Sequence, residues 1–235
     1  MKDYAILLDT TYCTGCNTCT YRCIQEFRDH DAAARGVFRN FVQLKDAGLY
    51  DQRCMQCKEP QCVKACPSGA LTKSGYGPVL YEAAKCTGDK HCVGACPFQG
   101  VQFDETKKKI VKCTMCAHRV SEGKLPACVE VCPSGALQFG EYSEMVTLAN
   151  TLAAKGKLKV YGLQENGGTH VIILTRVDPV ALGYPKVGKR QARSAKLATD
   201  LAGLPLVAGA VYVGLRKLSD RKTSVELSEG RDNAK

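Results

Sequence analysis

Fifteen cysteines stand within the first 132 residues of this 235-residue chain, and their spacing constrains the fold more than any other feature. They fall into four groups: Cys13-x2-Cys16-x2-Cys19-x3-Cys23, Cys54-x2-Cys57-x4-Cys62-x3-Cys66-Pro67, Cys86-x5-Cys92-x3-Cys96-Pro97, and Cys113-x2-Cys116-x11-Cys128-x3-Cys132-Pro133. An odd count cannot close as disulfides without leaving a free thiol. Three close cysteines in a turning loop suit three corners of an iron–sulfur cubane. A fourth, three residues on and followed by proline, suits the neighbouring cluster of a pair. Structural zinc usually draws on two separated pairs, whereas Cys13 to Cys23 packs four thiols into eleven residues, so zinc and a disulfide scaffold are the weaker readings.

The groups repeat. Cys62-Val-Lys-Ala-Cys66-Pro-Ser-Gly-Ala-Leu71 recurs as Cys128-Val-Glu-Val-Cys132-Pro-Ser-Gly-Ala-Leu137, and Cys92-Val-Gly-Ala-Cys96-Pro-Phe98 is a looser copy. Duplicated ferredoxin units are the simplest cause. Four clusters of four corners would need one ligand more than the cysteines provide. The gap falls in Cys86-Thr-Gly-Asp89-Lys-His-Cys92, where Asp89 occupies the second position of a C-x2-C-x2-C run. Asp89 either binds iron as a harder ligand, giving an Asp-ligated 4Fe–4S centre, or closes a turn and leaves a 3Fe–4S centre.

The formal charge of +10 looks basic, but ligating thiols are thiolates. Fifteen of them around four oxidised cores bring it to about +3, so a nucleic-acid partner loses its support. Hydrophobic residues at 45% and charged residues at 24% describe a folded chain rather than a disordered or multi-span one. The apolar run before Asp9 is far too short for a signal peptide, so the chain is not expected to be exported unaided.

In this order the four groups resemble the four-cluster electron-transfer subunits of molybdenum or tungsten bis-pterin oxidoreductases, whose partners act on formate, nitrate, dimethyl sulfoxide or polysulfide. Lys112-Cys113-Thr-Met-Cys116-Ala-His-Arg119-Val120, Pro126-Ala-Cys128-Val129, Gly167-Gly-Thr-His-Val171 and Gly183-Tyr-Pro-Lys186, with one apolar segment afterwards, look like the beta subunit of membrane-bound formate dehydrogenase of the N type. The resemblance covers residues 1–217. It implies that Cys13, Cys16, Cys19 and Cys132 hold one cluster and Cys23, Cys113, Cys116 and Cys128 a second. It places Cys54, Cys57, Cys62 and Cys96 around a third, and Cys66, Cys86, Cys92 and Asp89 around a fourth at the membrane end. It also implies an α+β fold of two interlocked ferredoxin-like domains plus one C-terminal apolar helix. The first domain would comprise residues 1–50 and 112–180, the second 51–111.

Outside the ligand loops, Tyr4 to Leu8 reads as a strand and Cys19 to Phe27 as a helix. Hairpins are predicted over 70–81, turning at Ser74-Gly75, and over 101–111, turning at Asp104 to Thr106. The run Lys107 to Lys109 reads as a solvated strand end, with a docking patch as the other reading. Ser143 is the predicted cap of a helix from Glu144 to Ala154, ending before Gly156, with Met145, Leu148 and Leu152 on one core-facing side. Gly167-Gly168 marks a turn before a buried strand from Val171 to Leu174. His91 and His118 lie inside ligand loops and are read either as donors to cluster sulfur or as surface residues, His170 as a hydrogen-bonded turn histidine. No haem motif is present.

Leu197 to Leu215 would make a helix of about 28 Å, close to the thickness of a bilayer core. It is expected to span, although Asp200 and Pro205 leave open a helix docked on a partner or lying on the membrane. Residues 181–196 form its basic approach, and 218–235 a polar tail. The function expected is a non-catalytic relay from a formate-oxidising bis-pterin catalytic subunit to a membrane cytochrome b and quinone. The alternatives are the same role beside another bis-pterin enzyme, or a stand-alone polyferredoxin. The implied location is the periplasmic face of the inner membrane with a cytoplasmic C-terminus, after export with the partner; a cytoplasmic face is the alternative.

Overall fold

The structure is a computed structural model and describes residues 2–188. The expected helix at 197–215 and the tail at 218–235 lie outside the described residues. Among the described residues no helix is long and apolar enough to cross a membrane.

Strand β1 (Tyr4–Asp9) leads into helix α1 (Thr18–Phe27) and the short α2 (His30–Ala34). A hairpin of β2 (Asn40–Lys45) and β3 (Gly48–Arg53) follows, then α3 (Gln61–Lys64) and a second hairpin, β4 (Leu71–Lys73) with β5 (Val79–Tyr81). Next come α4 (His91–Gly94) and the hairpin β6 (Gln102–Asp104) and β7 (Lys109–Val111), then α5 (Ala117–Ser121) and α6 (Ala127–Glu130). The chain ends its described part with β8 (Leu137–Glu141), α7 (Tyr142–Gly156), β9 (Lys159–Tyr161), β10 (Val171–Thr175) and α8 (Pro179–Leu182). This mixture is the α+β class expected.

One four-stranded sheet, ordered β8-β1-β10-β9, organises the rest. The two central strands run parallel with Ile6 opposite Val171 and Leu8 opposite Ile173, and β8 pairs antiparallel with β1, Leu8 facing Leu137. Both central strands are apolar runs because both of their faces are covered. On one face Ala5, Leu7, Ile172 and Leu174 pack against Met145 and Ala149 of α7. On the other, Ile6, Leu8, Val171 and Ile173 join the cysteine-bearing loops in a second core. Side-chain alternation along a strand therefore divides a plain structural face from the face that supports the site.

Helix α7 begins earlier than Ser143. Its N-cap is Glu141, with no side-chain cap, because β8 runs directly into the helix and the Tyr142 amide donates to the Asp3 carbonyl at 2.8 Å. Ser143 lies inside the first turn, its carbonyl accepting from the Thr147 hydroxyl. The helix also continues through Gly156 and stops at Lys157, whose left-handed backbone lets the Leu158 amide reach the Ala153 carbonyl. The face predicted from Met145, Leu148 and Leu152 does pack into the core.

Candidate functional site

The four cysteine loops share one backbone device. Gly15, Gln56, Gly88 and Met115 each precede the second position of their group, and all four have positive φ, at 73°, 53°, 80° and 56°. The turn this makes is followed by Cys16, Cys57 and Cys116 in three loops and by Asp89 in the fourth. The cysteine at the third position of every group, Cys19, Cys62, Cys92 or Cys128, is then the second residue of a helix, α1, α3, α4 or α6. After the last cysteine of groups two, three and four the chain turns again, with φ of 66° at Gly69, 52° at Gln99 and 66° at Gly135. Gln99 thus accepts the left-handed conformation that glycine takes in the two closer copies of the repeat.

Loops distant in sequence meet. Cys13, Cys16, Cys19 and Cys132 line one cavity with Leu8, Val42, Ala136 and Leu137. Burial holds Cys23 well above the ordinary thiol range, and the nearby charges of Cys113, Cys128 and Cys116 add to it. Burial likewise pushes Cys57 up to about 12, helped by Cys54, Cys96 and Cys62. Cys92 is pushed up to about 11 by burial, with Cys66, Asp89 and Cys86 close enough to contribute. Cysteines from loops distant in sequence are therefore brought close together.

Such burial keeps the free thiols protonated, so they would become thiolates only on binding a cation such as cluster iron. The polar surroundings agree. The Met115 amide donates to Cys113 Sγ and the Gly100 amide to Cys96 Sγ, both at 3.3 Å, and the Thr18 hydroxyl to Cys16 Sγ at 3.4 Å. Arg53, fully buried, directs Nη1 to Cys128 Sγ at 3.7 Å and pairs with the buried carboxylate of Asp51. Its Nε finds no hydrogen-bond acceptor among the described residues. Lys112 is also fully buried, donating to the carbonyls of Val79 and Cys113, each at 2.7 Å. Two buried cations beside crowded sulfurs would offset the charge of an anionic iron–sulfur cluster, and the residues fit such groups.

Asp89 accepts from the Thr87 hydroxyl at 2.8 Å and from the His91 amide at 3.0 Å. The Thr87 bond is the main reason its carboxyl is held below the usual range. His91 itself is exposed beside Asp89, and His118 bonds Glu26 at 2.8 Å, so both pair with carboxylates. His170 is buried at the bend before β10, with Nδ1 at 2.9 Å from the Gln56 carbonyl and Nε2 facing Asp3. In the run 107–109, Lys108 pairs with Glu105 on the surface, while Lys109 turns inward to the Cys86 carbonyl.

Two family models described as 4Fe–4S dicluster domains match residues 12–71 and 46–142. The nitrate-inducible formate dehydrogenase iron–sulfur subunit of Escherichia coli K12 is 34% identical over 220 residues, which is 79% of this chain and 75% of that relative. The chain belongs to the formate dehydrogenase iron–sulfur subunit family. A formate dehydrogenase iron–sulfur subunit of Haemophilus influenzae is 35% identical over 215 residues, 78% of this chain and 69% of the relative. The B subunit of anaerobic dimethyl sulfoxide reductase from E. coli K12 is 36% identical over 170 residues, 66% of this chain and 82% of the relative. A formate dehydrogenase iron–sulfur subunit of this kind binds iron–sulfur clusters and relays electrons; it is a non-catalytic member of an oxidoreductase complex. Sequence reading overlooked Asp51, Arg53 and Gln56 as parts of this site. It used Lys112 only as a motif letter, since a lysine beside a ligand cysteine reads the same whether buried or solvated.

Proposed function

We propose that the chain carries electrons through four iron–sulfur clusters from a formate-oxidising molybdenum- or tungsten-bis-pterin subunit to a membrane cytochrome b and quinone. What supports this reading is that sulfurs of successive proposed sets act on one another. Cys19 adds to the field on Cys128, Cys113 to that on Cys54, and Cys92 to that on Cys62, so each set has the next as its neighbour. Bound clusters supply the one-electron carriers. The chain's own residues hold them, exclude water and set the local charge.

The proposed ligands are Cys13, Cys16, Cys19 and Cys132; Cys23, Cys113, Cys116 and Cys128; Cys54, Cys57, Cys62 and Cys96; and Cys66, Cys86, Cys92 with Asp89. Asp89 is supported by the shared turn, which gives it the backbone position of Cys16, and by a donor two residues on, as Cys16 has in Thr18. The division into ferredoxin-like halves is supported by α1 packing on α6 for residues 1–50 and 112–180, and by α3 packing on α4 for 51–111. The nineteen-residue apolar segment 197–215 is the proposed anchor, with the clusters on the periplasmic side and the C-terminus in the cytoplasm. The similarity to the dimethyl sulfoxide reductase subunit favours a second reading, the same relay beside a different bis-pterin enzyme.

Purifying the native complex without oxygen through a tag on this chain tests the proposal. It predicts a co-purifying large subunit with bis-pterin metal, and at least about sixteen iron atoms per copy of this chain for its four four-iron centres, besides iron held by the partners. About eight, or no large subunit, would contradict it.

A further inference from the structure

Lys112 directly follows β7, one residue before Cys113, with none of its side chain exposed. Its ammonium donates to two backbone carbonyls, those of Val79 and Cys113, and among the described residues no carboxylate pairs with it. The other buried cation, Arg53, differs in having Asp51 against it. An ammonium removed from water without a counter-ion is costly, so a buried lysine of this kind points to negative charge supplied by something else in its surroundings. The candidates are the sulfurs. Burial raises Cys54 and Cys62, the latter to about 12, and in both cases the Lys112 charge acts in the opposite direction. Cys113, whose carbonyl the ammonium holds, belongs to the neighbouring set.

The surrounding hydrogen bonds fix the ammonium at this junction. Gln56, also fully buried, donates its amide to the same Cys113 carbonyl at 2.8 Å and accepts the Val79 amide at 2.7 Å. Lys112 and Gln56 thus tie the β4–β5 hairpin, the loop of Cys54 and Cys57, and the loop of Cys113 into one buried polar knot. A flexible side chain is held there as a fixed charge.

We propose that Lys112 is the positioning residue for electron transfer between the sets Cys23/Cys113/Cys116/Cys128 and Cys54/Cys57/Cys62/Cys96, its uncompensated ammonium favouring the reduced state on both sides of that crossing. The proposal rests on the ligand sets given under Proposed function. One electron leaves one set and arrives at the other; no bond is made and no proton moves. Because the ammonium lies between them, it favours the electron before and after the step, so neither side becomes a trap.

The test is an EPR-monitored redox titration of the whole complex carrying K112Q or K112R. Glutamine keeps a hydrogen-bond donor and removes the charge; arginine keeps the charge. For K112Q the expected result is a fall of at least tenfold in the reduction equilibrium of two centres, about 59 mV for one electron, with the other two within about threefold of wild type. K112R should hold all four near their wild-type values. K112Q with full iron and unshifted potentials overturns the proposal, as does K112R shifting as far as K112Q. If K112Q does not assemble, K112R decides: unchanged potentials support the charge, and a tenfold shift overturns it. Iron content of the wild-type complex tests the four-cluster reading separately, since it does not depend on Lys112.

Discussion

The guanidinium of Arg53 reaches the sulfur of Cys128, Nη1 to Sγ 3.7 Å, from a position with no exposed surface and with Asp51 on its other side. Its charge also acts on Cys19, which burial otherwise pushes up to about 11. Arg53 therefore stands between the loop of Cys19 and that of Cys128, and β3, which ends at Arg53, brings Asp51 and Cys54 to the same place.

Removing one member of this buried pair should cost far more than removing a surface charge. R53Q leaves the Asp51 carboxylate buried without its cation, and a loss of about 3–5 kcal/mol is expected. The check is the anaerobic guanidinium midpoint of the complex, followed by circular dichroism. D51N/R53Q should lose less than the two single variants added together; a simply additive double variant would show that the pair is not coupled.

Gly100 backs onto the loop of Cys54. A Cβ there would lie 2.6 Å from the Cys54 Cα and 2.8 Å from the Arg53 carbonyl, backbone that cannot step aside. G100A should destabilise by about 1–3 kcal/mol and weaken iron retention at the Cys54 set before the others. Gly94, with nothing within 4 Å of its Cβ position, is the control: iron loss under chelator should quicken in G100A and not in G94A.

Much of the site was legible because its information is local. Spacing such as Cys13-x2-Cys16-x2-Cys19 is a loop's own geometry, and the apolar runs of β1 and β10 announce strands covered on both faces. Which fourth cysteine meets which loop is a matter of tertiary packing, and there the family resemblance carried the reading. The β2–β3 hairpin was missed because its turn is Asp46-Ala47, with the glycine one place late. Ser143 was misread as a cap because β8 passes into α7 without a loop. Arg53 and Lys112 were out of reach: charged residues default to the surface until distant elements are known to close over them.

Asp89 can be tested by what replaces it. If its carboxylate binds iron, D89A should lose about one iron atom per chain and show the EPR signature of an oxidised three-iron centre, while D89C keeps a four-iron centre. Iron content and spectra unchanged in D89A would assign the residue to its turn with Thr87 and the His91 amide alone.

Cluster retention should depend on pH with a definite sign. Burial raises Cys19, Cys92 and Cys128 to about 11 and Cys57, Cys62 and Cys116 to about 12, so without clusters these thiols are protonated at neutral pH. Holding iron requires their thiolates, so proton uptake accompanies cluster loss and retention strengthens as pH rises. Between about pH 6.5 and 8.5 the chelator concentration that bleaches half the clusters should climb steadily. A flat profile would mean that the thiols are already ionised without iron.

Formate electrons should reach the clusters of this chain, and every role proposed for its residues depends on that. Adding formate to the anaerobic native complex and following the iron–sulfur absorption, with dithionite as the reference for full reduction, asks the question without a variant. Bleaching by formate that approaches the dithionite level is the expected result. A complex that dithionite bleaches and formate leaves unchanged would contradict it, leaving a competent relay joined to a different enzyme.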